Sequence, residues 1–316
     1  MPSSKFGKTP PKGVYTPLCT FFHPDQSLDL ESFKKHVQNV GRAGVGCVAL
    51  GSNGEAIHLR HSERNAVIAA ARQALDADPA CANVPLIAGT GAGSTVETIE
   101  LTREAAEAGA DFAMVITPGY FAKGLSREAL KQFFIEVAEA SPIPILVYNF
   151  PGASAGIDLD SDLIAEVAAA SSNIAGTKLT CGNVGKIARL TGLPDFAVYG
   201  GFIDFLQPSL TIGAAGCITG LGNVVPKTCL KLYHDSIASL SGSGDPGATA
   251  KLQAIVSHAD WALQKGSVAG TKWVLGQLHG FGSEPRRPLL PFDASNGKGE
   301  QLLKDLEEIL TIERTL

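Results

Sequence analysis

The chain has 316 residues, 45% of them hydrophobic and 18% charged, a balance that suits a globular protein with a large core. A formal net charge of −5 argues against nucleic acid or an anionic membrane surface as a partner. No stretch approaches the roughly 18 apolar residues of a membrane span, and six cysteines with no C-x-x-C pair read as reduced core residues of a cytoplasmic protein.

Residues 1–12 hold no apolar segment and no arginine, and read as a flexible leader rather than a signal or transit peptide. A first strand is expected over 13–22 and a helix over 30–41, with the loop His23-Pro24-Asp25-Gln26 between them. Residues 45–50 are a short continuous apolar run, the pattern of a strand buried on both faces. The next segment carries Val67, Ala70, Ala71 and Ala74 at i, i+3, i+4 and i+7, one core-facing helical stripe. A third strand over 85–88 leads to a helix opened by Ser94-Thr95-Val96-Glu97, the spacing of a capping box. Strand and helix then alternate: a strand over 112–116, a helix with Leu130, Phe133, Phe134 and Val137 on one face, a strand over 144–148, and a helix over 160–169. A sixth strand ends at Lys178, a helix follows over 184–190, and strands close the series over 196–199 and 217–219. Eight such units predict an α/β protein, a (β/α)8 TIM barrel over 13–226, with a C-terminal helical extension over 227–316. The Ser/Gly-rich stretch 241–247 reads as a surface linker.

In such a barrel, chemistry sits where the strands end. Lys178 closes the run Ile174-Ala175-Gly176-Thr177-Lys178 before a Gly-Asn turn. A free lysine titrates near ~10.4. Sunk into an apolar barrel mouth it loses its proton more readily and becomes a nucleophile toward ketones. The alternative is a lysine that snorkels at a strand end and pairs with a carboxylate. On the same face lies Gly51-Ser52-Asn53-Gly54-Glu55, whose glycines and side-chain donors form either a cradle for a small carboxylate or an ordinary polar turn. Thr117-Pro118-Gly119-Tyr120 and Tyr148-Asn149-Phe150-Pro151 each place a phenol there, either as an amphipathic core residue or as a proton carrier. His58 and His61 lack a third ligand at metal spacing, so no metal site is expected. The glycine-rich segments 89–93 and 220–222 match no phosphate-loop or dinucleotide pattern.

In order and spacing, these four motifs resemble the dihydrodipicolinate synthase / N-acetylneuraminate lyase family. The resemblance implies that Lys178 forms a Schiff base with a 2-oxo acid, usually pyruvate, with no other cofactor. It further implies that Tyr148 shuttles protons and that Gly51, Ser52 and Asn53 hold the pyruvate carboxylate. Tyr120 would reach into a neighbouring subunit of a homotetramer, a dimer of dimers. Thr180, Gly201, Asp204 and Ile218 complete the expected substrate-binding set, and Ser154 is a further candidate for meeting substrate hydroxyls. The departures from the pattern matter as well. Ala153 stands where the synthases carry the arginine that clamps a second substrate carboxylate, so lysine biosynthesis is disfavoured. Ile203 and Asp204 stand where sialate lyases carry an Asp-Glu pair. Ser52-Asn53 resembles the eukaryotic 2-oxo acid aldolases, including 4-hydroxy-2-oxoglutarate aldolase and the fungal 2-keto-3-deoxy-L-galactonate (L-threo-3-deoxy-hexulosonate) aldolases. The expected activity is a metal-independent aldolase that cleaves a 2-oxo-3-deoxy sugar acid to pyruvate and an aldehyde. 4-Hydroxy-2-oxoglutarate aldolase, dihydrodipicolinate synthase and a catalytically silent 2-oxo acid binding protein are the alternatives.

Overall fold

A computed structural model describes residues 5–316; residues 1–4 of the expected leader lie outside the described residues. Eight parallel strands close on themselves in chain order. They are β1 (Gly13–Pro17), β2 (Gly46–Ala49), β3 (Leu86–Gly89), β4 (Phe112–Ile116), β5 (Ile145–Asn149), β6 (Ile174–Leu179), β7 (Ala197–Gly200) and β8 (Gly216–Ile218). Helices α1 (Leu30–Arg42), α2 (His61–Asp76), α3 (Thr95–Glu107), α4 (Arg127–Ala140), α5 (Ser161–Ala170), α6 (Val184–Leu190), α7 (Leu206–Thr211) and α8 (Pro226–Leu240) follow the strands in turn. The chain is therefore a TIM barrel, and its eighth outer helix begins at Pro226. Beyond it lie α9 (Pro246–His279) and α10 (Lys298–Thr315).

The outer helices bury the stripes read from sequence. Val67, Ala70, Ala71 and Ala74 of α2 and Leu130, Phe133, Phe134 and Val137 of α4 are all buried, each large side chain contributing about 2–3 kcal/mol of apolar transfer energy. Asp29, Ser94, Ser126, Asp160 and Asn183 accept a backbone N–H at the starts of α1, α3, α4, α5 and α6, satisfying donors that the helix leaves open. The capping box expected at Ser94 is only half formed. Ser94 Oγ takes Glu97 N at 3.2 Å, but the Glu97 carboxylate turns to His61, 3.6 Å from Nε2.

Two expectations about the N-terminal end are corrected. The first strand stops at Pro17 instead of running to residue 22, because Asn223 takes over the backbone groups there. Its amide donates to Pro17 O at 3.0 Å and its oxygen accepts Cys19 N at 3.1 Å. The described residues just before the barrel are tied down rather than loose. Pro10 is buried, Tyr199 OH donates to Pro10 O at 2.9 Å, and Tyr15 OH donates to Pro11 O at 2.7 Å. Two barrel-interior phenols thus find acceptors in the chain that closes the barrel's N-terminal end, as buried hydroxyls require.

At the opposite end, α9 packs against the turn Gly220–Asn223 that follows β8. Helical geometry breaks inside α9 at Ser267, with φ 54° and ψ −158°, a backbone region that side chains rarely enter. That break lies against the cavity described next.

Candidate active site

Lys178 is the fifth residue of β6, with Tyr148 of β5 in register on one side and Tyr199 of β7 on the other. Strand alternation turns Lys178 and Tyr148 to the same face. The Lys178 Nζ lies 4.5 Å from the centre of the Tyr148 ring, and both residues are only 4% exposed. Phe150 stacks on Tyr148 at 5.8 Å between ring centres, which fixes the phenol's plane. Lys178, Tyr148 and Phe150 line a cavity of about 280 Å³ at the C-terminal ends of the strands.

Ser52 and Asn53 line the same cavity. Their loop is bracketed by two non-glycine residues with positive φ, Leu50 at 61° and Glu55 at 53°. Such backbone costs energy and persists only where the surroundings enforce it. Here the enforcement is visible at Glu55: its carboxylate accepts Lys272 Nζ at 2.9 Å and the backbone N–H of Arg286 at 2.7 Å. Lys272 and Glu55 form an ion pair whose side chains are 0% and 1% exposed, and the Lys272 ammonium also sits 4.4 Å over the Phe22 ring. Arg286 grips Glu63 through both Nη atoms at 2.8 Å. The C-terminal region therefore clamps the turn that carries Ser52 and Asn53.

Thr180 and Gly201 complete the barrel side of the cavity. Gly201 is needed for packing, since a Cβ there would overlap the Thr180 hydroxyl, and a Cβ at Gly220 would stand 2.7 Å from Asn53 Nδ2. Thr180 Oγ1 is buried with no hydrogen-bond partner among the described residues. Facing these residues, α9 supplies Asp260, Leu263, Gln264, Ser267, Val268 and Thr271. Asp260 accepts Gln264 Nε2 at 3.1 Å. Burial, with a smaller contribution from Asp204, pushes its carboxyl up to about 7.

The structure thus brings Lys178, Tyr148, Ser52, Asn53, Thr180 and Gly201 into one cavity. Gly51 instead lines a second cavity of about 280 Å³, shared with Ser52, Tyr148, Ala153 and Arg64. Buried Arg64 has no partner for Nε or Nη1 among the described residues, and desolvation lowers its pKa. Ile218, the last residue of β8, is fully buried in the barrel-interior cluster and lines neither cavity. Asp204 stands behind the cavity wall. Its backbone carbonyl accepts Ser257 Oγ at 2.9 Å, and desolvation raises its carboxyl. Ser154 is fully buried and donates to Thr117 O at 3.0 Å, so it shapes the loop instead of meeting a substrate. Tyr120 is 88% exposed beside Phe121, outside the cavity of its own chain. His58 faces Glu55 at 3.4 Å and His61 faces Glu104 at 3.1 Å.

The α9 residues escaped sequence reading because nothing local marks them as sharing a cavity with Lys178, more than 80 residues earlier in the chain. One signal was present. Asp260 sits on the apolar stripe of α9, with Val256, Ala259 and Leu263 buried around it, and a lone acid on such a stripe calls for a reason.

Fold and site together define a TIM-barrel protein with one amine and one phenol in a cavity at the strand C-termini. More specifically, the chain belongs to the dihydrodipicolinate synthetase family, whose model matches residues 10–309. It is 43% identical over 309 residues, covering 96% of both chains, to an Emericella nidulans protein named "Probable 4-hydroxy-2-oxoglutarate aldolase, mitochondrial". It is 40% identical over 318 residues, 97% of this chain and 98% of the relative, to the L-threo-3-deoxy-hexylosonate aldolase of Hypocrea jecorina. A crystallised dihydrodipicolinate synthase family protein from Coccidioides immitis superposes with a TM-score of 0.86 at 36% identity, covering 98% of this chain and 99% of that one.

Proposed function

We propose that the protein is a Schiff-base aldolase that splits a 2-oxo-3-deoxy sugar acid of the L-threo-3-deoxy-hexulosonate class into pyruvate and an aldehyde. The observation that carries this reading is the buried Lys178 amine 4.5 Å from the Tyr148 ring centre in the cavity at the strand C-termini. Among the described residues lining that cavity Lys178 is the only cation. The amine attacks the C2 ketone, and loss of water leaves an iminium. Tyr148 takes the C4 hydroxyl proton as the C3–C4 bond breaks, its electrons pass to the iminium nitrogen, and the aldehyde departs. The resulting enamine is protonated at C3, and water then releases pyruvate and regenerates the amine. Ser52 and Asn53 hold the substrate's C1 carboxylate in this scheme, and no step requires a metal.

The exposed Tyr120 and Phe121 are the side chains we assign to a subunit contact in a homotetramer. Six unpaired cysteines suit a reducing compartment, and the cytoplasm is our reading. The 43% identity to the Emericella nidulans relative favours a second reading, 4-hydroxy-2-oxoglutarate cleavage. The test is borohydride reduction in the presence of pyruvate followed by peptide mapping. A single adduct on Lys178 is the expected result, and full turnover by Lys178→Ala would refute the mechanism.

A further inference from the structure

The wall of the cavity opposite Lys178 is a helix surface outside the barrel, and its chemistry is unlike that of the barrel side. Asp260 is 2% exposed yet lines the cavity. Gln264, one turn on, holds one of its oxygens at 3.1 Å. Behind it the 203–204 segment is fastened to the same helix, because Gln253 Nε2 donates to Ile203 O at 3.0 Å and to Asp204 O at 3.2 Å. Asp204, in that segment and outside the cavity lining, is a half-buried carboxyl whose Oδ1 has no hydrogen-bond partner among the described residues. On the barrel side Thr180 lines the cavity, and its buried hydroxyl is also unpartnered among the described residues. A buried hydroxyl without a partner is uncommon, and this one lies on the same cavity as the Asp260 carboxyl.

We infer that Asp260, positioned by Gln264 and working with Thr180, reads the hydroxyl groups of the substrate tail beyond C4 and rejects a tail that ends in a carboxylate. The inference rests on the aldolase reading above and names the substrate class of that same cavity. A polyol tail both donates and accepts hydrogen bonds, so it satisfies a carboxyl and a lone hydroxyl together. A tail carboxylate only accepts. Above pH 7, where Asp260 is ionised, it would bring a second carboxylate against Asp260 in a cavity whose one lining ammonium has been converted to the imine. Buried acceptors left facing an acceptor are costly, and sites built this way discriminate strongly.

The test compares kcat/KM for L-threo-3-deoxy-hexulosonate and 4-hydroxy-2-oxoglutarate in the full-length wild type, Asp260→Asn and Gln264→Lys, with pyruvate trapping at Lys178 measured alongside. Wild type is expected to favour the sugar acid by about a hundredfold. At pH 8, where wild-type Asp260 is ionised, Asp260→Asn keeps the shape and removes the charge, and is expected to move the ratio toward the dicarboxylate by about tenfold or more. Gln264→Lys sets an ammonium beside Asp260 from a half-buried position and is expected to move it the same way, so the result does not depend on one variant folding. A wild type that traps pyruvate but cleaves the dicarboxylate as well or better overturns the inference, and Arg64 in the second cavity, whose Nε and Nη1 have no partner among the described residues, then becomes the cation to examine. So does a ratio that neither variant moves while trapping persists. A wild type that traps no pyruvate overturns the aldolase reading itself, and the inference falls with it.

Discussion

Replacing Lys272 by Met tests whether the buried ion pair beneath the Ser52-Asn53 turn holds that turn in place. The substitution keeps the length and packing of the side chain over Phe22 but leaves the Glu55 carboxylate, 1% exposed, without its ammonium. Removing one member of a buried pair costs about 3–5 kcal/mol. Glu55 retains the Arg286 N–H at 2.7 Å, which places the expected loss near the lower limit, about 3 kcal/mol. In a chain of this size that corresponds to a fall in Tm of about 6 °C, read by calorimetry. Because Glu55 ends the turn in a left-handed conformation, its release is also expected to raise the pyruvate concentration for half-maximal trapping by about tenfold. The double variant Glu55→Gln/Lys272→Met removes the stranded charge and is expected to recover part of the lost stability. A Tm within about 2 °C of wild type for Lys272→Met, or a double variant no more stable than the single one, would refute the reasoning.

Tyr148→Phe is expected to lower kcat by about 10²- to 10⁴-fold while Lys178 still traps pyruvate; loss of trapping in a folded variant would show that the phenol serves imine formation instead. Gly201→Ala drives a methyl group into the Thr180 hydroxyl, and a loss of about 1–3 kcal/mol is expected, with sugar-acid turnover falling alongside; unchanged stability and rate would mean that the 201 loop yields. The Asp260 carboxyl, about 7 in the folded protein, titrates near ~3.9 when unfolded. Between those values the folded state holds a proton that the unfolded state has lost, so this group's contribution falls as pH rises from about 4 to about 7 and is flat above. Asp260→Asn removes that slope. Its Tm relative to wild type is expected to be higher at pH 8 than at pH 5, and equal differences at the two pH values would contradict the placement of this acid.

The barrel and half of its site were legible in the sequence because both are local properties of the chain. A continuous apolar run such as residues 45–50 has to be buried on both faces. The stripes on α2 and α4 have one face to hide, and in a TIM barrel each strand ends on the same side as the others. That geometry alone sends Lys178, Tyr148, Ser52 and Asn53 to one place. The tertiary structure decided what long-range packing controls. Ser154, close to Tyr148 in sequence, turned inward to Thr117 O. Ile218 packed into the barrel-interior cluster and lines neither cavity. The far wall of the cavity came from α9, whose Asp260 and Gln264 reach the site, and whose Lys272 reaches Glu55 of the Ser52-Asn53 turn, by helix docking. No local pattern encodes that docking, since the partners that make those side chains functional lie on strands and turns distant in the chain.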